Sequence, residues 1–278
     1  MSATELPSVL DAIVAAAWKR VDVAREGRSL EDLERAIADR PPVGVDGAGF
    51  MASLQQPGIR VIAECKRRSP SKGVLRPQYD PVAIAGRYAD AGAAAVSVLT
   101  EPTFFDGSLD HLMAVRAALP GTPLLRKDFT VDEYQIAEAV LAGASAVLLI
   151  VAALDQSTLA RLLTYASSVG LDVLTEVHDE HEAHRAMDAG AGIVGVNNRN
   201  LKTLAVSIET SHRVAPIVAG ARVRVAESGL QTGADLAALH AVGYGAFLIG
   251  ERFMTDADPG VGLGKVILAA REALGTRT

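Results

Sequence analysis

The chain has 278 residues, 49% of them hydrophobic, and a formal net charge of -6. That supplies one large core, and the acidic balance argues against a sequence-independent nucleic-acid binder, which is ordinarily basic. One cysteine, Cys65, excludes an intrachain disulfide and points to a reducing compartment, and no apolar run approaches the roughly 18 residues that span a bilayer.

Residues 7–25 and 30–39 have helical spacing, and Ser29 with Asp32 makes a capping-box pattern. The residues before them lack the charged-then-apolar layout of a signal peptide, so the expected location is the cytoplasm. Pro41-Pro42-Val43-Gly44-Val45-Asp46-Gly47 reads as a breaker-rich linker. Residues 1–46 are expected to form a helical extension with its linker and 47–278 a barrel, together one domain.

A strand–helix rhythm then runs to the C-terminus. Strands are expected near 59–66, 94–99, 122–127, 145–151, 171–176, 192–197, 222–227 and 245–250. Helices are expected near 80–91, 108–118, 132–142, 155–169, 179–189, 207–218, 232–242 and 260–274. Thr130 with Glu133, Asp179 with Glu182, and Thr232 with Asp235 read as helix starts. Gly92, Gly143, Gly170, Gly190 and Gly243 suit helix ends. Eight sequential units of this kind predict an α/β fold, a (β/α)8 TIM barrel with an N-terminal helical extension. A doubly wound open sheet would carry G-x-G-x-x-G after its first strand. This chain has Lys66-Arg67-Arg68-Ser69-Pro70-Ser71-Lys72-Gly73 there.

In such a barrel the active site lies at the C-terminal ends of the strands. Side chains alternate along a strand, so Glu64 and Lys66 share a face with Ile62, while Cys65 faces the helices. Lys127 goes with Leu125, Glu176 with Leu174, Asn197 with Gly195, and Glu227 with Val225. Glu64, Lys66, Lys127, Glu176, Asn197 and Glu227 therefore converge on one mouth. Charges buried together shift one another's pKa values, which suits general acid–base work. Any one of them alone is equally well an ion-pair member or a solvated strand end.

The turns Ser228-Gly229-Leu230 and Gly250-Glu251 follow the last two strands, where barrels often seat phosphate on backbone N–H groups. Ordinary tight turns are the plainer account of either one alone. The basic run Lys66, Arg67, Arg68, Lys72 and Arg76 has no interleaved aromatics, so an anionic small substrate explains it better than nucleic acid. Phe104, Phe105 and Phe129 sit in the loops after strands 2 and 3 and are candidates to line a pocket for an aromatic ring, with core packing as the ordinary alternative. His178, His181 and His184 stand at a solvated helix start and read as surface residues rather than metal ligands.

Glu64-Cys65-Lys66-Arg67-Arg68-Ser69-Pro70-Ser71 resembles the signature of the indole-3-glycerol phosphate synthase family. The resemblance recurs at Leu99-Thr100-Glu101, Phe105-Asp106-Gly107-Ser108, Leu125-Arg126-Lys127-Asp128-Phe129, Thr175-Glu176-Val177, Gly195-Val196-Asn197-Asn198-Arg199, Ala226-Glu227-Ser228-Gly229 and Ile249-Gly250-Glu251. It implies a (β/α)8 barrel of tryptophan biosynthesis that turns 1-(2-carboxyphenylamino)-1-deoxyribulose 5-phosphate into indole-3-glycerol phosphate, CO2 and water. No cofactor or metal is implied; the partner is a small phosphorylated substrate, neither nucleic acid nor membrane, and no docking partner is named.

The resemblance also implies roles. Lys127 would be the general acid of ring closure and Glu176 a general base. Lys66 would hold the substrate carboxylate, and the later proton transfers stay open among Glu64, Lys66 and Glu176. Asn197 and Arg199 would position substrate, and Glu227 would orient the lysines. Ser69, Ser228, Gly229 and Gly250 would contact substrate and phosphate; Pro70, Phe105 and Phe129 would pack on the anthranilate ring. Arg68 and Glu251 stand where some members have lysine and serine. A carboxylate so near a phosphate is expected to turn away. Two competing readings are a phosphoribosylanthranilate isomerase-like barrel and a non-catalytic barrel scaffold. Cys65 has the wrong parity for the first, and the full set of charged strand ends argues against the second.

Overall fold

The structure, a computed structural model, describes residues 8–39, 49–201 and 203–275. The barrel strands are β1 (Arg60–Cys65), β2 (Ala95–Leu99), β3 (Leu124–Lys127), β4 (Ala146–Ile150), β5 (Asp172–Val177), β6 (Ile193–Asn197), β7 (Val223–Glu227) and β8 (Ala246–Ile249); a two-residue antiparallel pair, Arg68–Ser69 with Gly73–Val74, lies in the loop after β1. The barrel strands all pair in parallel, and β8 pairs β1, which closes the barrel. The linker expected at 41–47 lies outside the described residues.

Alternation divides the apolar residues into two layers. Ile62, Leu125, Leu148, Leu174, Val225 and Leu248 fill the barrel interior. Val61, Ala63, Cys65, Val96, Val98 and Phe247 pack between sheet and helices. A strand buried on both faces needs this apolar content, which is why the strands are rich in Val, Ile, Leu and Ala. The parity is therefore as expected, with Cys65 outside. Arg126, of opposite parity to Lys127, turns to the helices and pairs with Glu138 at 2.7 Å.

The outer helices begin and end close to their expected positions. Ser29 with Asp32 and Thr232 with Asp235 form complete capping boxes. Asp179 caps its helix, but Glu182 accepts the His178 backbone N–H rather than completing a box. Thr130 is not a cap. Asp132 takes that place, because Gln135 already occupies the loop, accepting from the Val131 N–H and donating to the Phe129 carbonyl. The helix expected at 207–218 is a helix at Glu209–Val214 and a 3-10 turn at Ile217–Gly220, parted at Pro216, whose ring cannot continue the ladder.

Among the described residues three helices precede β1: α1 (Val9–Gly27), α2 (Leu30–Ala38) and α3 (Phe50–Leu54). The last was not expected; five residues are too few to show a helical period. Phe50 and Leu54 belong to the interior cluster, and Asp172, at the start of β5, accepts the Met51 N–H at 2.8 Å. α3 thus plugs the N-terminal end of the barrel and leaves the other end open. Among the described residues no helix is long and apolar enough to cross a membrane.

Candidate active site

The side chains that alternation aims past the last interior layer meet at that open end. Glu64, Glu176 and Glu227 are each at most 3% exposed. Three buried carboxylates are costly unless partnered. Lys66 Nζ is 2.6 Å from Glu64 Oε1. Lys127 Nζ donates to Glu176 Oε2 at 2.8 Å and stands 3.7 Å from Glu227 Oε2. Asn197 Nδ2 donates to the other Glu176 oxygen at 3.2 Å, and its own Oδ1 accepts the Arg199 N–H at 3.0 Å.

These contacts sort the proton affinities. Burial presses the Lys127 ammonium toward neutrality, but Glu176, Glu227 and Glu64 outweigh it and hold its pKa above the ordinary lysine range. Burial raises Glu176, yet Lys127 and His178 win and hold it well below the carboxylate range. Glu227 is pushed the other way, by burial and by the Glu176 charge, with Lys127 opposing. One site thus holds a persistent ammonium, a persistent carboxylate and a carboxyl that tends to keep its proton.

Glycines make room for these groups. A Cβ on Gly195 would lie 2.1 Å from Glu227 Oε1, and one on Gly250 would lie 2.5 Å from Glu64 Oε1. Gly250 has φ -129, so clearance for Glu64, rather than backbone conformation, calls for glycine there.

Around these groups lies a cavity of about 570 Å³, a size suited to a small organic ligand. The six strand-end residues Glu64, Lys66, Lys127, Glu176, Asn197 and Glu227 all line it, with Ser69, Pro70, Phe105, Phe129, Arg199, Ser228, Gly229 and Gly250. The Phe105 and Phe129 rings lie 6.1 Å apart; Phe104 does not reach the cavity. Ser228 and Gly229 both take left-handed backbone, φ 65 and 78, a conformation that costs energy at Ser228 and marks functional turns. Glu251 lines the cavity, with Oε2 3.3 Å from Arg199 Nη2, so its charge is compensated across the mouth.

The basic run divides. Lys66 and Lys72 line the cavity. Arg67 and Arg68 both pair with Asp106 of the following loop, and Arg76 donates to the carbonyls of Met254, Asp256 and Ala257. Those three arginines hold loops together. His181 and His184 are exposed, and no group of three or more His, Cys, Asp and Glu among the described residues is placed to hold a metal ion.

One feature was not read from the sequence: His178 packs against Glu176. The N-terminal extension reaches the mouth through α1, where Val9, Leu10 and Ile13 line the cavity. Arg20 seats that helix, with Nη1 3.1 Å from Glu101 Oε1 and Nη2 2.8 Å from Asp128 Oδ1. Both carboxylates are almost fully buried. Glu101 also caps the short helix that presents Phe105, and Asp128 adjoins Lys127. Arg20→Ala is expected to raise KM about tenfold with kcat little changed, and to cost about 1–3 kcal/mol, the usual loss when buried charged groups lose a hydrogen-bond partner. Thermal melts and saturation kinetics check both; an unaltered KM would show that α1 does not close the site.

A family model described as indole-3-glycerol phosphate synthase matches residues 10–263. The indole-3-glycerol phosphate synthase of Mycolicibacterium smegmatis is 50% identical over 93% of this chain and 92% of its own. That of Nocardioides sp. is 52% identical over 91% of this chain and 95% of its own. Among solved structures, mandelate oxidase with (S)-2-phenylpropionate matches at TM-score 0.62 and 20% identity, covering 89% of this chain and 93% of that one. That likeness concerns the barrel alone.

Proposed function

The chain belongs to the indole-3-glycerol phosphate synthase family, and from that premise we propose which mouth residue performs each step of its reaction. The enzyme closes the indole ring of 1-(2-carboxyphenylamino)-1-deoxyribulose 5-phosphate in tryptophan biosynthesis, releasing CO2 and water. The observation that carries the assignment is the pairing of the two lysines with separate carboxylates, Lys127 with Glu176 and Lys66 with Glu64. Two acid–base pairs match a reaction with two protonations of the same oxygen.

In the first, the ring carbon bearing the carboxylate attacks the ketose carbonyl carbon. Lys127 gives its proton to the carbonyl oxygen as the bond forms. The carboxylate then leaves as CO2, and its electron pair restores the aromatic ring. In the second, Lys66 protonates the new hydroxyl, which departs as water. Glu176 removes a proton from the neighbouring CH2 carbon, completing the indole double bond. Glu64, 2.6 Å from Lys66 Nζ, anchors that side chain for the step. Asn197 fixes the Glu176 carboxylate, and Glu227 places Lys127 from its other side. Phe105, Phe129 and Pro70 take the anthranilate ring. Arg199 takes an anionic substrate group, and the Ser228, Gly229 and Gly250 turns with Ser69 take the phosphate.

The test supplies this substrate to pure, folded protein and follows indole fluorescence with coupled CO2 release. Product in both channels is expected. Neither product from folded enzyme would reject the reading. An isomerase-like barrel would instead consume the phosphoribosyl amine of anthranilate and release no CO2.

A further inference from the structure

His178 immediately follows β5 and does not line the cavity. Its side chain is only 8% exposed. Nδ1 is 3.0 Å from Glu182 Oε2, which also accepts the His178 backbone N–H at 2.8 Å. Nε2 is 3.2 Å from Glu176 Oε1, within range of charge pairing but not aligned for a hydrogen bond. The ring is thus anchored at one edge by its own loop, and its other edge presses on the back of Glu176. Lys127 and Asn197 engage the same carboxylate from other sides.

Charge balance makes this contact matter. The titratable groups facing Glu176 are Lys127, the Glu227 carboxyl and His178; the group facing His178 from the following helix is Glu182. Lys127 lies 2.8 Å from Glu176 and 3.7 Å from Glu227, so it is shared between the two carboxyl groups. A second cation beside Glu176 therefore favours its ionised form in so buried a place. Burial opposes a charged imidazole, but Glu176 and Glu182 outweigh it and raise the pKa of His178 to about 10.

We propose that His178 is a positioning residue for ring closure and dehydration: its imidazolium braces Glu176 from outside the cavity and keeps it a carboxylate. This rests on Glu176 being the general base. Removing a neighbouring positive charge raises a carboxyl pKa, typically by one unit or more when the pair is buried. A carboxylate base works above its pKa, so the loss of activity on acidification must begin at higher pH.

His178→Gln keeps a polar side chain of similar reach without the charge. Its acidic limb of kcat is expected about one pH unit above that of the wild type. Turnover should fall about tenfold on that limb, return to within about twofold of wild type at high pH, and leave KM little changed. A purely structural role would lower turnover equally at all pH and leave the limb in place, which overturns the proposal. Nitrogen-15 NMR of the wild-type imidazole is independent of how the variant folds: a protonated ring at pH 8 supports the brace, and a neutral ring at pH 7 overturns it. Glu176→Gln separates the two assignments. If it turns over normally, the base assignment fails and carries this inference with it. If it is inactive while His178→Gln keeps the wild-type limb, only the inference about His178 fails.

Discussion

Lys127→Ala is expected to lower kcat by about 10²–10⁴-fold, the usual contribution of a positioned general acid, which corresponds to about 3–5 kcal/mol of barrier. The expectation follows from what the side chain meets. Among the described residues, Lys127 Nζ is the one ammonium within 4 Å of both Glu176 and Glu227, the carboxyl groups near the ends of β5 and β7. These acids hold its pKa high, so the donor stays loaded as pH rises through the neutral range. It can still release its proton, because the alkoxide that forms as the ring closes is a stronger base than an amine. The variant should fold, since a buried carboxyl that loses its cation takes up a proton instead. Its melting temperature should nonetheless fall, and most at high pH, where that proton must be removed. Single-turnover measurements at saturating substrate separate chemistry from binding: the chemical step should slow while the Michaelis constant changes far less. Wild-type turnover in the folded variant would remove Lys127 from the mechanism.

The barrel and its rim were legible in the sequence because both rest on periodicity. Eight apolar runs set the strands, and a period of two fixes which residues face inward from each terminal Glu, Lys or Asn. That reasoning needs no long-range information. It does not reach contacts that no strand parity sets. Arg20 meets Asp128 across 108 positions, and nothing local marks either as the other's partner. α3 is too short to carry a period. Thr130 was misread as a cap because sequence spacing does not reveal that Gln135 has already filled the loop. His178 was legible in part: it has the parity of Glu176, two residues on, and Glu182 follows it by four. Treated as a member of a histidine cluster it looked like surface; taken as one more inward position on β5 it points at the base.

Gly195→Ala carries the second large effect, and its cause is steric. The added methyl would stand 2.1 Å from Glu227 Oε1, 3.2 Å from its Cδ and 3.1 Å from Leu174 Cδ1. The first distance is far inside van der Waals contact, so something must move. Leu174 lies in the packed barrel interior, where displacement costs energy on every side. Glu227 is the freer of the two, because its Oε1 has no hydrogen-bond partner. Its carboxyl would swing off the β6 face and take with it one of the two carboxyl groups that place Lys127. Overpacking of this kind costs about 1–3 kcal/mol of stability, and a displacement near 1 Å in an acid–base site costs about 10²-fold in rate. The control lies just before the same strand. A methyl on Gly192 meets only the terminal Cε of Met51, at 3.1 Å, and a flexible thioether yields readily. Gly192→Ala should therefore keep turnover within about twofold and lose well under 1 kcal/mol, in line with ordinary substitutions. Melting curves and turnover of the two alanine variants, measured side by side, decide the matter. If Gly195→Ala matches Gly192→Ala in both, the space beside Glu227 is not a requirement of the site.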